Sequence, residues 1–170
     1  MSTIHKNQPR KRAAEVVDEP ATELVTFSVE DQWFCIPVLK VQDMLVPERI
    51  AAIPMAPPSV RGAINLRGRI VTVIDVRVCL GLPPRLDDGP SMGVTVEHEH
   101  ELYTLLVDRV GDVVSLPHSR WERSPVTLDP VWQDVARGVY RMDQGLMVVL
   151  DVDRLLGEKV RGEAAPVNAS

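Results

Sequence analysis

Apolar and polar positions along this chain alternate mainly with a period of two, the signature of half-buried strands. Val25, Phe27 and Val29 alternate with Leu24, Thr26 and Ser28, and WFCIPV follows across Glu30-Asp31-Gln32, which predicts a hairpin. VLKVQDMLV continues the β-branched pattern. AINL and IVTVIDV flank Arg67-Gly68-Arg69, a glycine-centred tip that reads as a tight hairpin turn. MGVTVEHEH with ELYTLLVDRV, and GVYRM with LMVVLDV about Asp143-Gln144-Gly145, predict two more hairpins. Pro47, Pro54, Pro57 and Pro58 crowd the segment after Val46, so it is expected to be a rigid loop with one helical turn at most.

Two stretches repeat each other. Arg61–Gly81 aligns without a gap on Arg137–Gly157: both open on Arg-Gly, pass through V-x-D-V and close on Leu-Gly. Upstream, Phe34–Met44 aligns on Tyr103–Val113, with Val38/Val107, Lys40/Arg109, Val41/Val110 and Asp43/Asp112 in register. Self-similarity of this kind identifies one unit used twice. Many short strands with Gly/Pro turns and few helices imply an all-β fold of two small barrels, about five strands each. Barrels this small would be marginal alone, so they should share an apolar seam. The expected boundaries are a disordered tail over 1–22, a first barrel over about 23–85 and a linker at Arg85–Ser91. A second barrel over about 90–145 follows, then a C-terminal segment returning to the first, and a flexible tail over 159–170.

The chain has 170 residues, 45% hydrophobic and 25% charged, with a net charge of −5. An acidic balance argues against nucleic-acid binding and against attraction to anionic membranes. No apolar run reaches the roughly 18–20 residues of a membrane-spanning helix. Cys35 and Cys79 each sit within an apolar run, as buried reduced thiols of a cytoplasmic protein would.

Chemistry is sparse. His98 and His100 lie in an E-H-E-H-E run that reads as a solvated turn rather than a metal pair. No metalloprotease, Walker A, C-x-x-C or dinucleotide motif occurs, so no enzyme activity and no cofactor are expected. Asp75 and Asp151 hold equivalent positions at strand ends, which points to a shared capping role. Trp33, Trp121 and Trp132 read as packing residues. Arg61, Arg67, Arg69 and Arg77 form a basic stretch in an acidic protein. The second copy carries Asp143-Gln144-Gly145 at the tip matching Arg67-Gly68-Arg69, so the fold does not require arginines there, and a binding role for Arg67 and Arg69 follows.

LKVQDML, IPMAPPSVRGAINLRGRIVTVIDVRVCLGLP, LVDRVGDVVSLP and GLMVVLDVDRLL together resemble the CheW family of chemotaxis coupling proteins, over about residues 23–158. The resemblance implies two intertwined five-stranded SH3-like barrels packed on a shared core with short helical turns. It implies a non-enzymatic adaptor joining the cytoplasmic tips of methyl-accepting chemoreceptors to the regulatory domain of the histidine kinase CheA. Rings alternating with that kinase domain, or containing further CheW copies, are implied as well. The expected location is the cytoplasm, recruited to membrane-associated receptor arrays. By motif, the receptor-binding residues would be Val41, Asp43, Gly62, Arg67 and Arg69, beside a groove between the barrels. Kinase contacts would fall near Met92, Val94, Glu122 and Thr127, although WERSPVTL has Glu122 where the family often has arginine. Asp108-Arg109 stands where the family often has Asp-Gly. A scaffold for a non-flagellar chemosensory pathway is the alternative of the same fold. A ligand-binding or phosphotransfer protein is the alternative of a different class.

Overall fold

Each hairpin expected from the alternation forms, and the strand order explains why the sequence repeats. The computed structural model of the chain describes residues 20–83, 91–125 and 127–157. The tail expected over 1–22 therefore lies outside the described residues up to 19, as do most of the expected linker and the tail over 159–170.

Eleven strands are described: β1 (Ala21–Val29), β2 (Gln32–Pro37), β3 (Val41–Leu45), β4 (Val60–Leu66), β5 (Arg69–Asp75), β6 (Met92–His98), β7 (Glu101–Val107), β8 (Arg109–Pro117), β9 (Trp121–Glu122), β10 (Ala136–Met142) and β11 (Gly145–Leu150). Three short helices accompany them among the described residues: α1 (Val76–Cys79), α2 (Pro130–Val135) and α3 (Val152–Arg154). Single 3-10 turns at Val38–Lys40 and His118–Arg120 precede β3 and β9. The proline-dense segment holds two tight turns and no helix, with Ala56 N–H donating to Ile53 O and Val60 N–H to Pro57 O.

The strands form two sheets, ordered β8-β1-β2-β11-β10-β9 and β3-β6-β7-β5-β4. Under the sequence alignment these orders coincide over five strands, β9 having no counterpart. Each sheet has one parallel pair at its centre, Phe34 opposite Val148 in one and Tyr103 opposite Thr72 in the other, which are equivalent positions in the two copies. Chain order does not respect the sheets. The chain leaves β2 in the first sheet to form β3 at the edge of the second, and leaves β7 in the second to form β8 at the edge of the first. That reciprocal exchange is what intertwines the units, and the repeat boundaries near 85 and 90 do not mark where one sheet ends.

The expected barrels need a correction. The sheets contain six and five strands, and neither closes, because the edge strands β8 and β9, and β3 and β4, do not hydrogen-bond to each other. Each sheet nevertheless curls around an apolar cluster of its own. Leu24, Cys35, Leu116, Tyr140, Met147 and Val149 fill the first, and Ile64, Val71, Val73 and Leu106 the second. The opposite faces meet in the main core, where Phe27, Phe34, Ile36, Ile74, Val94, Leu105, Val148 and Leu155 are buried. Phe27 stacks on Phe34 at 5.8 Å, and Trp132 on α2 meets Phe34 edge-on at 5.5 Å. Each such fully buried side chain contributes about 1.5–3 kcal/mol, so this seam holds the two sheets together.

The V-x-D-V repeats do cap helices. Asp75 accepts the Arg77 N–H at the start of α1, and Asp151 accepts the Arg154 N–H at the start of α3. Cys35 and Cys79 are buried and unbridged, as expected.

Candidate functional site

The tip between β4 and β5 is built by its own sequence. Leu66 pairs with Arg69, which leaves Arg67-Gly68 as a two-residue loop with φ of 55° and 85°. Both values are left-handed, as a type I′ hairpin turn demands. Gly68 adopts this conformation freely, whereas asparagine or glycine rather than arginine would be preferred at Arg67. The Asn65 side chain holds the turn by accepting the Gly68 N–H at 2.8 Å. In the second copy, Met142 pairs with Gly145 and the positive φ falls on Gly145, at 136°, so Asp143 and Gln144 escape the left-handed region. The two tips therefore differ in backbone as well as in charge.

The structure brings Arg67 to Asp43. Arg67 Nη1 lies 2.8 Å from Asp43 Oδ2, with the arginine side chain 77% exposed and the carboxylate 20%. Asp43 Oδ1 meanwhile accepts the Met44 N–H. Asp43 belongs to β3 and Arg67 follows β4, so this pair spans the gap between the two edges of the five-stranded sheet. The backbone completes the approach at one point, where Ala51 bridges Ala63 on β4. Gly62 makes that bridge possible. It sits at φ 150° in a bulge of β4, and a Cβ there would run into the Ala51 carbonyl and the Ile50 side chain.

Val41 is half-buried and packs on the main core. A bulge between Val41 and Asp43 then reverses the strand's facing, so that Leu45 packs on the small core of the second sheet instead. Arg69 is exposed and carries no ion pair among the described residues. Around this corner stand apolar groups that motif reading left out: Ile70 at 75% exposure, Val46 at 50% and Met44 at 43%. Ile70 shares the β5 face of Thr72 and Ile74, a face exposed at the hairpin tip and buried in the main core at Ile74.

The other two arginines of the basic stretch pair with carboxylates of this chain, Arg61 from the surface and Arg77 largely buried. Arg61 Nη1 binds Asp75 at 3.0 Å. Arg77 binds Asp108 through Nε and Nη2 and Glu30 through Nη1, and these carboxylates, Asp108 first, raise its pKa further above the ordinary value.

The expected kinase-contact positions scatter. Met92 opens β6, half-buried against the main core, and Thr127 is exposed in the turn before α2. Glu122 on β9 is held bidentately by Arg141 at 2.7 and 2.9 Å, which lowers its pKa. Val94 is a correction: it is 0% exposed on an interior strand, so its side chain cannot meet a partner.

The E-H-E-H-E tip also differs from its solvated expectation. His98 is buried, with Nδ1 2.8 Å from Asp153 Oδ1, while His100 sits at positive φ and is exposed. Among the described residues no cluster of histidine, cysteine and carboxylate side chains could hold a metal ion, and no helix is long and apolar enough to cross a membrane.

The sequence profile of the CheW-like domain matches residues 23–160. The probable chemotaxis protein CheW of Rhizobium etli is 26% identical over 153 residues, which cover 90% of this chain and 98% of that protein. The chemotaxis protein CheW of Klebsiella aerogenes is 25% identical over 149 residues, 88% of each chain. Among solved structures, the scaffolding protein TtCheW from Thermoanaerobacter tengcongensis superposes with a TM-score of 0.72 at 25% identity, covering 81% of this chain and 93% of that one.

Proposed function

The chain belongs to the CheW-like domain family, and from that premise we propose that it is a non-enzymatic chemotaxis scaffold coupling methyl-accepting chemoreceptors to a CheA-type histidine kinase. Its place would be the cytoplasmic face of receptor arrays, with the kinase regulatory domain and further CheW copies as neighbours. The observation that carries this reading is the corner where Arg67 meets Asp43. An exposed guanidinium is held there in a left-handed backbone conformation, a strain of roughly 1–2 kcal/mol that the second copy avoids. Strain kept at an exposed tip without benefit to packing supports a binding role for the side chain.

A receptor helical hairpin would lay apolar positions on Ile70, Met44 and Val46 and polar ones on Arg67 and Asp43, as helices bind grooves elsewhere. Val41 and Gly62 would shape that corner from beneath, and Arg69 would add a second cation at its rim. Kinase contacts are proposed for Met92, Glu122 and Thr127, at strand ends and in the connector to α2. Each contact can be weak, since array partners bind multivalently.

Arg67→Asn separates binding from folding. Asparagine suits the left-handed position, so stability should stay within about 1 kcal/mol of wild type, the exposed ion pair being worth no more than that. Pulldown by a receptor signalling-tip fragment should fall at least about tenfold, the effect of losing one binding hot spot. Undiminished capture by the variant would remove Arg67 from the site.

A further inference from the structure

The two copies differ at a second place, the bulge near the start of β4 and of β10. Arg61 and Arg137 are equivalent, and both are the extra residue of a bulge, at Val60/Gly62 in β4 and at Ala136/Gly138 in β10. A bulge takes a residue out of the ladder and re-aims its side chain. In the first copy the arginine is satisfied by Asp75 Oδ2 at 3.0 Å. In the second, the matching Asp151 accepts the Arg154 N–H, and Arg137 has no carboxylate partner among the described residues. It lines a cavity of about 320 Å³ inside the curl of the six-stranded sheet.

The same bulge presents a second substitution. Gly62 approaches Ile50 in the first copy, whereas Gly138 lies against the Trp121 indole, where a Cβ would come within 2.5 Å of Nε1. An aliphatic side chain that helps fill the second sheet's own cluster is thus replaced by an aromatic one, 42% exposed, that lines the cavity. Leu24 and Val149 give the cavity an apolar floor, and Tyr140 and His118 add polar groups at its wall. His118 Nε2 is bonded to Thr22 Oγ1, which leaves the ring's other nitrogen for a further partner. The connector around Trp121 is locally basic despite the acidic chain: Arg120 and Arg123 flank it, and Glu122 is neutralised by Arg141.

We propose that this cavity is a binding site for a small planar carboxylate, the ring lying on Trp121 and the carboxylate bound by the fork of Arg137. A guanidinium matches a carboxylate bidentately, and an indole face beside an apolar floor accepts a flat ring. The volume falls at the low end of ligand pockets, enough for one ring with an acidic arm. Two sources carry this chemistry: a free aromatic acid, and the C-terminal phenylalanine of a peptide.

The test follows the indole N–H signals of the full chain by nuclear magnetic resonance, assigned with Trp121→Phe because the sequence holds three tryptophans. The probes are benzoate, benzamide as its neutral isostere, and a short peptide ending in phenylalanine. Benzoate or the peptide should shift the Trp121 signal saturably at about 10 mM, ten times a millimolar Kd. Benzamide should bind at least about tenfold more weakly, as should either carboxylate to Arg137→Gln, because each change removes a charge-assisted pair. Arg61→Gln, at the equivalent bulge, should leave the titration unchanged. Tighter binding of the peptide than of benzoate assigns the site to a chain terminus, and the reverse to a free acid. No saturable shift with either carboxylate, equal binding of benzamide, or an unaffected Arg137→Gln would overturn the proposal.

Discussion

Replacing Arg77 by methionine removes four hydrogen bonds at once: Nε to Asp108 Oδ1 at 3.1 Å, Nη2 to Asp108 Oδ2 at 2.8 Å, and Nη1 to Glu30 Oε2 at 2.7 Å and to Pro83 O at 2.8 Å. These bonds converge from the β1–β2 turn, the β7–β8 junction and the chain after α1, so Arg77 clasps both sheets together. The side chains of Arg77 and Asp108 are 12% and 13% exposed. Stranding one member of a buried pair costs about 3–5 kcal/mol, whereas an exposed pair costs about 0–1. The Glu30 side chain is 41% exposed and contributes at the lower figure, and Asp108 keeps the Glu30 N–H as a donor at 2.8 Å. The expected loss for Arg77→Met is therefore about 2–4 kcal/mol, a large share of the 5–15 kcal/mol of an ordinary domain. In urea the midpoint should fall by about 1–2 M for a slope near 2 kcal/mol/M. The double variant Arg77→Met/Asp108→Leu should recover part of the loss, because it removes the stranded charge as well. A loss below about 1 kcal/mol for Arg77→Met, or strictly additive variants, would show that the clasp is not under tension from burial.

Acid should weaken the matching clasp in the other copy. Asp153 titrates below the usual carboxylate range, first because His98 hydrogen-bonds it and then because Lys40 does. A depressed folded pKa gives stability that is present above the unfolded value near 3.9 and is lost as pH falls through the folded one. Asp153→Asn should therefore lower the urea midpoint at pH 7 and narrow its gap to wild type below about pH 4. The effect should stay under about 1 kcal/mol, since the side chain is 56% exposed; a gap that widens in acid would be the wrong sign. Gly62→Ala should cost more than Gly145→Ala. Both have positive φ, but only Gly62 faces a backbone carbonyl, and Gly145 has open space around it. Thermal melts giving equal losses would count against the close approach to Ala51. Burial pushes the Cys35 thiol up to about 12, so a thiol reagent should not react with it at pH 8 until the chain unfolds. Rapid native labelling of Cys35 would contradict its burial.

What the sequence made legible follows from what local pattern encodes. Alternation located the hairpins, and Gly68 marked the tight turn between β4 and β5, whereas the bulges at Gly62 and Gly138 were not read from the sequence. The capping role of Asp75 and Asp151 was readable because each bonds a backbone group two or three residues away. The closing of barrels was not readable, since it depends on whether edge strands meet. In the second sheet the gap between β3 and β4 is spanned, among the described residues, by the Arg67–Asp43 ion pair and the isolated Ala51–Ala63 bridge rather than by a ladder. Burial of His98 was missed for a related reason. Its partner Asp153 lies 55 residues away on α3, so the local run of alternating charge carried no trace of it.

The repeat carries further than either pattern or motif, because it supplies an internal control for each residue. Arg77 and Asp153 are aligned positions of opposite charge, and both tie a short helix to a hairpin of the other sheet: Arg77 to Glu30 at the β1–β2 turn across 47 residues, Asp153 to His98 at the end of β6 across 55. The contact persisted while its chemistry was inverted, which marks it as a requirement of the interlocked fold rather than of any partner. Arg67 behaves differently, for its counterpart Asp143 reaches no equivalent ion pair among the described residues and the tip changes its backbone type. Arg137 is a third case, with the backbone bulge conserved between the copies but the internal carboxylate withdrawn from the arginine. A basic residue whose contact is preserved in altered form serves the architecture. One whose backbone device is kept while its internal partner is lost has been freed to meet something outside the chain.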